Sequence, residues 1–122
     1  MAVSRKRAQD YAEKVLERPR GEMSVTLRRG KGGVTLLYGG RAVTKCHASR
    51  VGDLQAAYMA RALGVELPSQ GGKVSTKVPS GVLYRAIGIS ALDLRRPEAL
   101  KVMAQLLATA EMQRTVFGGA VA

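Results

Sequence analysis

The sequence predicts an α+β fold, a small antiparallel β-meander of three or four strands packed against N-terminal and C-terminal helices. Three observations predict it. Apolar and polar residues alternate between Met23 and His47, glycines interrupt that alternation, and helical periodicity occupies both ends of the chain. The 122 residues fit one domain and leave little room for a second, so we expect residues 1–122 to form a single domain.

The N-terminal segment predicts an amphipathic helix from about Ser4 to Glu17. Its apolar residues recur at helical spacing: Ala8, Tyr11, Ala12, Val15 and Leu16. Pro19 cannot continue a helix, so the helix is expected to end there. Three cations, Arg5, Lys6 and Arg7, stand at its start, where the helix dipole prefers anions. A bound phosphate would relieve that conflict, and a frayed, solvated tail is the alternative.

The next segment predicts three strands. In the first strand Met23, Val25 and Leu27 point to one face, while Ser24, Thr26 and Arg28 point to the other. Gly30 to Gly33 is predicted to form a hairpin tip, because glycine tolerates positive φ. Val34 to Tyr38 returns as the second strand. Gly39-Gly40 breaks it, and Arg41 to His47 forms the third.

A second helix is predicted from about Asp53 to Leu63, with Gly64 just after its end. A loop from Glu66 to Gly72 follows this helix. From Lys73 to Val78 the alternation predicts a short edge strand, whose lysines would disfavour pairing with a strand of another chain. The pattern from Val82 to Ile89 fits either a helix or a strand.

The last helix is predicted to begin near Pro97 and to run to about Phe117, with Glu98 favourable to its dipole. Ser90 and Asp93 before it resemble a capping box with Asp in place of Glu. Its apolar residues recur in steps of three and four: Leu100, Met103, Leu107, Ala110 and, beyond Arg114, Phe117. This stripe fits either a core-facing helix or the seam of a homodimer formed through residues 97–117.

The charge indicates a polyanionic partner. Lys and Arg number 20 against 9 acids, which gives a net charge of +11, and 13 of the cations are arginines. Residues 1–50 carry 12 cations and 4 anions, whereas residues 51–122 carry 8 and 5. A high pI that arose for solubility alone would not concentrate the positive charge in one half of the chain, so we expect binding to nucleic acid.

Signatures of other functions are weak. One cysteine, Cys46, and one histidine, His47, exclude an internal disulfide and supply too few ligands for zinc, so we expect a buried thiol beside an edge histidine. The run from Lys31 to Thr35 resembles the start of a phosphate-binding loop but has no Lys-Ser/Thr end and no following helix. We expect no enzyme activity, no cofactor and no metal.

The chain has no apolar run long enough to span a membrane and no apolar signal core, so an intracellular, cytoplasmic or nucleoid-associated protein is expected. The absence of Asn is typical of thermophiles, and a GC-rich genome gives a similar bias.

The candidate contacts are cations and apolar groups of the meander. Arg28, Arg29 and Lys31 flank the predicted hairpin tip, which suggests a finger that reaches a phosphate backbone. Leu37 and Tyr38 lie near the glycine-broken end of the middle strand, where they would receive unstacked bases. The remaining candidate cations are Arg41, Lys45, Lys73 and Lys77. Core packing is the favoured role for Tyr11, Tyr58 and Tyr84.

The run Gly40-Arg41-Ala42-Val43-Thr44-Lys45, followed by a helix, resembles a stretch of the archaeal Alba family. Arg5-Lys6 and the helix that contains Asp10-Tyr11 are similar to the basic pair and Asn-Tyr of the first Alba helix. The resemblance covers about residues 4–63 and implies nucleic-acid contacts from Lys6, Arg41 and Lys45. The extra hairpin at Glu22 to Val34 and the helical C-terminal half depart from that family.

By the order of its elements alone, the chain is also similar to ThermoDBP, a single-stranded-DNA-binding family of hot-living archaea. We expect a protein that binds single-stranded DNA or RNA in preference to duplex, mainly through phosphate and with little sequence specificity. A structural basic subunit of a ribosome or virion, and a duplex-binding chromatin protein, are the alternatives.

Overall fold

A computed structural model describes residues 22–115, and this part of the chain has an α+β fold. Its four-stranded antiparallel sheet has the order β3-β2-β1-β4. The strands are β1 (Met23–Gly30), β2 (Gly33–Tyr38), β3 (Arg41–His47) and β4 (Lys73–Val78). The helices are α1 (Arg50–Leu63), α2 (Ser80–Ser90) and α3 (Pro97–Gln113).

The alternation predicted for β1 is confirmed. Met23, Val25 and Leu27 are buried, while Ser24 and Arg28 are exposed. The connection to β2 is a tight turn of two residues, Lys31 and Gly32. Gly33 follows with φ +127°, and a Cβ there would overlap the carbonyl oxygen of Cys46. Only glycine fits this approach of β2 to β3.

The helices α1, α2 and α3 lie on one side of the sheet. α1 and α2 contact its strands, and α3 packs against α1 and α2. One hydrophobic core joins these layers. Its largest fully buried side chains include Leu27 and Leu36 from the sheet, Met59 and Leu63 from α1, and Leu83 and Ile89 from α2.

Helix α1 begins at Arg50, three residues earlier than the apolar pattern predicts. Ser49 is the N-cap, and its hydroxyl accepts a hydrogen bond from the backbone N–H of Gly52 at 2.9 Å. The predicted end at Gly64 is confirmed, because this residue has φ +78° and its N–H donates to the carbonyl groups of Ala60 and Arg61. Tyr58 packs against the core as expected.

The segment from Val82 to Ile89, ambiguous in sequence, lies within helix α2. The capping box predicted for Ser90 and Asp93 is wrong. Ser90 ends α2, where its hydroxyl donates to the carbonyl oxygen of Ile87 at 2.6 Å. Asp93 instead accepts hydrogen bonds from Arg95, and the N-cap of α3 is Arg96, with no side-chain cap. Pro97 does lie in the first turn, as predicted.

Two sequence predictions fall outside the described residues. One is the helix from Ser4 to Glu17, and the other is the end of the final helix near Phe117. The heptad residues Met103, Leu107 and Ala110 of α3 are buried in the core of their own chain, while Leu100 is exposed. Within residues 22–115, no helix is both long and apolar enough to cross a membrane.

Candidate nucleic-acid interface

The side of the sheet that faces away from α1, α2 and α3 forms a basic surface, here called the open face. The strand register arranges its side chains in rows that run across the strands. The cationic row consists of Lys73, Arg28, Thr35 and Lys45, one residue from each strand. The neutral row next to it consists of Ser75, Thr26, Leu37 and Ala42. A third, shorter row pairs Lys77 with Ser24.

The cationic row spans the whole width of the sheet. Lys73 pairs with Arg28, Arg28 with Thr35, and Thr35 with Lys45. Neighbouring strands lie about 4.8 Å apart, so the row is about 14 Å long from β4 to β3. Its three cations are exposed, and Thr35 is half-buried between them. The row therefore presents three positive charges in a line.

No acidic residue stands in β1, β2, β3 or β4. The ion pairs found within residues 22–115 lie elsewhere, on the helices and the loop before α3: Arg61–Glu111 at 3.8 Å, Arg95–Asp93 at 2.9 Å and Arg96–Asp93 at 3.8 Å. In contrast, Arg28 and Lys73 are cross-strand neighbours with the same charge. Like charges placed directly opposite each other destabilise a sheet.

Lys45 links the cationic row to the β1–β2 turn. A Cβ placed on Gly32 would lie 2.8 Å from Lys45 Nζ, so the ammonium group rests against this turn. Lys31, the other turn residue, is exposed. The positive charge of the open face is therefore concentrated at the end of the sheet where the β1–β2 turn lies.

The neutral row has a polar end and an apolar end. On β1 and β4, the hydroxyl groups of Thr26 and Ser75 are hydrogen-bonded at 2.8 Å. On β2 and β3, Leu37 is half-buried and Ala42 is exposed. The register between these two strands shifts at Leu36/Leu37, which brings Ala42 rather than Val43 opposite Leu37. This bulge places a small side chain beside Leu37 and leaves part of the leucine accessible.

The structure brings five of the predicted site residues onto the open face: Arg28, Leu37, Lys45, Lys73 and Lys77. Two others lie on the opposite side. Arg29 donates a hydrogen bond to the carbonyl oxygen of Pro68 at 3.2 Å, and Tyr38 packs against the core. Leu37 and Tyr38 therefore lie on opposite sides of the sheet, as adjacent residues of a strand do, and only Leu37 is on the open face.

The flexible finger predicted at Gly30 to Gly33 is also shorter than expected, since β1 and β2 pair up to these two glycines. Arg41 is exposed and stands opposite Tyr38, so the register directs it away from the cationic row. The predicted contacts Arg5, Lys6 and Arg7 lie outside the described residues.

Sequence reasoning missed the hydroxyl residues of the open face: Ser24, Thr26, Thr35 and Ser75. The alternation already placed Ser24, Thr26 and Ser75 outward, but each alone is an ordinary polar surface residue. The register across four strands is the signal that groups them, and the sequence does not specify the β1–β4 pairing.

The chemistry of the described residues favours binding. Cys46 points into the core, and burial raises the pKa of its thiol to about 11, so the reactive thiolate is disfavoured. Among residues 22–115, no group of three or more His, Cys, Asp or Glu side chains is placed to hold a metal ion.

Comparison with known proteins found no matching family model, no matching curated protein and no matching solved structure.

Proposed function

We propose that this protein binds nucleic acid on the open face, mainly through phosphate groups and without catalysing a reaction. The observation that carries this proposal is the cationic row, with Arg28 and Lys73 side by side and no acid in the strands β1 to β4. Arginine and lysine bind phosphate oxygens as a fork of donors and as a point charge, respectively. A row of phosphates would offset the repulsion that the free protein carries.

We propose single-stranded DNA or RNA as the preferred form. The cations belong to a sheet surface and not to a helix that could enter the major groove of a duplex. The neutral row beside them adds Leu37, an apolar contact that unstacked bases can reach. Because phosphate contacts carry no sequence information, little base specificity is expected.

Salt dependence of binding is the first test. Affinity for a single-stranded oligonucleotide, measured by fluorescence anisotropy, is expected to fall steeply between about 50 and 200 mM salt. Each neutralised phosphate contributes about 0.7 to the log–log slope on single strands, so the three cations of the row predict a slope near −2 or steeper. A flat response would show that counterion release does not drive binding and would contradict the proposal.

A triple change of Arg28, Lys45 and Lys73 to Ala tests the location. It is expected to weaken binding at least 100-fold and to remove about two units from the salt slope. The matched control changes three exposed cations of the helical side, Arg61, Arg96 and Lys101, to Ala. This control carries the same loss of charge and should bind within about threefold of the original protein. Equal losses in both variants would mean that net charge alone, and not the open face, binds the ligand.

A structural subunit of a nucleoprotein assembly is the second candidate. It is favoured by large apolar side chains that the helical side leaves exposed: Leu54 at 47%, Leu100 at 45% and Met112 at 60%. An assembly neighbour, or a second copy of this chain, would bury them. A homodimer through α3 would have to use Leu100 and its exposed neighbours, since Met103 and Leu107 already pack in the core.

Sedimentation of the native protein distinguishes the two candidates. A nucleic-acid-binding protein that acts alone in the cytoplasm or nucleoid is expected to remain with the small proteins after nuclease treatment. Co-sedimentation with a large particle that persists after that treatment would favour the structural subunit.

A further inference from the structure

We infer that a single nucleic-acid strand crosses the sheet at right angles to the β-strands, with its phosphates on the cationic row and its bases turned onto the neutral row. The inference rests on the proposed function and adds the path of the strand, the residue that contacts the bases and the length of strand covered.

The placement of the cations decides the path. Two directions are available on the open face, along the cationic row or along β4, whose Lys73 and Lys77 both point outward. The row presents three cations within about 14 Å, one or two strand spacings apart. The β4 path presents only two, about 13 Å apart at roughly 3.3 Å per residue. The path across the strands therefore neutralises more phosphates over the same length.

The neutral row indicates that the bases of the nucleic-acid strand, and not its phosphates, face this row. A single strand has phosphates along one side and bases along the other, and the two adjacent rows match this division. Leu37 and Ala42 supply an apolar surface for a base face, while the Thr26 and Ser75 hydroxyl groups supply donors and acceptors for base edges. A duplex keeps its bases stacked between two backbones, so they could not reach Leu37.

The dimensions of the row give the length of strand covered. Stacked nucleotides advance about 3.4 Å each along a strand, so about 14 Å corresponds to roughly four nucleotides, and to fewer when the strand is extended. A tetranucleotide should therefore make all the contacts that one open face offers.

The lysines of β4 provide a matched pair for testing the path. Lys73 and Lys77 are the same residue type on the same strand, both exposed on the open face, but only Lys73 belongs to the cationic row. Lys73→Ala is expected to weaken oligonucleotide binding at least fivefold and to lower the salt slope by about 0.7. Lys77→Ala is expected to change affinity less than twofold. Equal losses, or a larger loss for Lys77→Ala, would overturn the path across the strands.

A base-free polyanion tests the role of Leu37. Inorganic polyphosphate carries the charges without bases, so it should bind the same cations but gain nothing from the neutral row. Leu37→Thr keeps a strand-forming residue beside the exposed Ala42. It is expected to weaken binding of a tetranucleotide at least fivefold and to leave polyphosphate binding within twofold. Equal effects on both ligands, or no effect on the tetranucleotide, would overturn the contact between Leu37 and bases.

The proposed function and the proposed path fail separately. If the original protein shows no salt-dependent binding to oligonucleotides, the proposed function fails. If the change of Arg28, Lys45 and Lys73 abolishes binding while the two lysine variants behave alike, the function stands and the path does not. Thermal unfolding of each variant confirms that folding is retained.

Discussion

The acidity of the Cys46 thiol depends strongly on the surroundings of the side chain. It lies on β3, where it is 3% exposed, and burial raises the pKa of its thiol from 9.0 to about 11. His47 next to it is exposed, because adjacent residues of a strand point to opposite sides. The only thiol of the chain is thus held in its neutral, unreactive form.

The first prediction concerns this thiol. At pH 8 the folded protein should resist iodoacetamide, and the unfolded protein should be labelled at once. An unfolded thiol ionises near pH 9.0 but the folded one only near 11, so folding stability should fall between these pH values and not below them. The contribution is about 1.4 kcal/mol per pH unit within this window. Denaturant unfolding at pH 8, 9, 10 and 11 would measure it, and Cys46→Ala should show a correspondingly shallower decline. Equal declines would contradict this origin.

Gln55 is the one polar residue that is buried within the described part of the chain. Its Nε2 donates to the carbonyl oxygens of Ile89 at 2.7 Å and Leu92 at 2.6 Å. Ile89 lies in the last turn of α2 and Leu92 beyond its end, and the Ile89 carbonyl oxygen also accepts a hydrogen bond from the backbone N–H of Leu92 at 3.2 Å. The side chain of α1 therefore completes the hydrogen bonding at the end of α2.

The second prediction follows from these two hydrogen bonds. Gln55→Ala should lower the free energy of unfolding by about 2 kcal/mol, because it removes two hydrogen bonds and takes from the Leu92 carbonyl oxygen the donor that Gln55 supplies. Gln55→Met keeps the length of the side chain but removes the donor, so it serves as the control for packing. Urea unfolding of both variants should give similar losses. If the methionine variant is as stable as the original protein, the effect belongs to packing and not to hydrogen bonding.

At the scale of elements, helix α1 depends on the residue before it. The Ser49 cap satisfies an N–H group that has no partner within the helix, and Asp53 in the first turn favours the dipole. α1 is also the helix that contacts both β2 and β3. The position of its first turn therefore helps to determine how α1 packs against β2 and the edge strand β3.

The third prediction is that Ser49→Ala lowers the free energy of unfolding by about 1 kcal/mol. Ser49→Asp should retain most of the stability, because aspartate caps as well as serine and adds a favourable charge at the N-terminus. Thermal unfolding followed by circular dichroism would compare the three proteins. An aspartate variant as unstable as the alanine variant would rule out the capping hydrogen bond as the cause.

Alternation and glycine punctuation were sufficient to predict the strands, because the period of two from Met23 to Leu27 does not fit a helix and glycines mark both turns. Helix ends were harder. The early start of α1 depends on the hydroxyl of Ser49, which precedes the apolar pattern by several residues. Ser90 has the spacing of a cap, but it is used within α2, where it also contacts the Thr44 hydroxyl of β3 at 2.8 Å.

In the candidate site, too, some features could be predicted from the sequence and others could not. Outward cations such as Arg28 and Lys73 could be predicted from each strand alone, since period-two patterns assign faces. Their position side by side could not, because it depends on β4 pairing with β1 across a long stretch of sequence that contains β2, β3 and α1. For Arg29 the sequence predicted a neighbour of Arg28 at the binding surface, whereas the structure places its side chain on the other side of the sheet. Arg29 is adjacent to Arg28 in sequence but bonded to Pro68 on the other side of the sheet.

At the scale of the whole molecule, charge is segregated between the two sides. The strands β1 to β4 contain cations and no acids, and the ion pairs seen within residues 22–115 belong to the helical side. Within residues 22–115, no ion pair balances the repulsion across the open face, so mobile ions in solution are expected to screen it.

The fourth prediction is that salt stabilises the free protein. Raising sodium chloride from about 50 to 500 mM should raise the melting temperature by a few degrees, because the shorter Debye length weakens the repulsion among the cations of the open face. Changing Arg28, Lys45 and Lys73 to Ala should remove much of this gain. The control variant of Arg61, Arg96 and Lys101, which breaks ion pairs, should keep it. Scanning calorimetry would test this, and a melting temperature that falls with salt would contradict it.

The strand order has a consequence for how the chain is made. β1, β2 and β3 follow one another, and they are joined by tight turns, so they can pair as soon as they leave the ribosome. β4 pairs with β1 only after α1 and its following loop have been synthesised. Until then no other described strand pairs with this edge of β1, so the backbone of Val25 and Leu27 is left to pair with a strand of another chain. Non-local closure is slow because it must overcome the entropy of a long loop. We therefore expect synthesis of this chain to pass through a stage prone to aggregation, which ends when Lys73–Val78 pairs with β1.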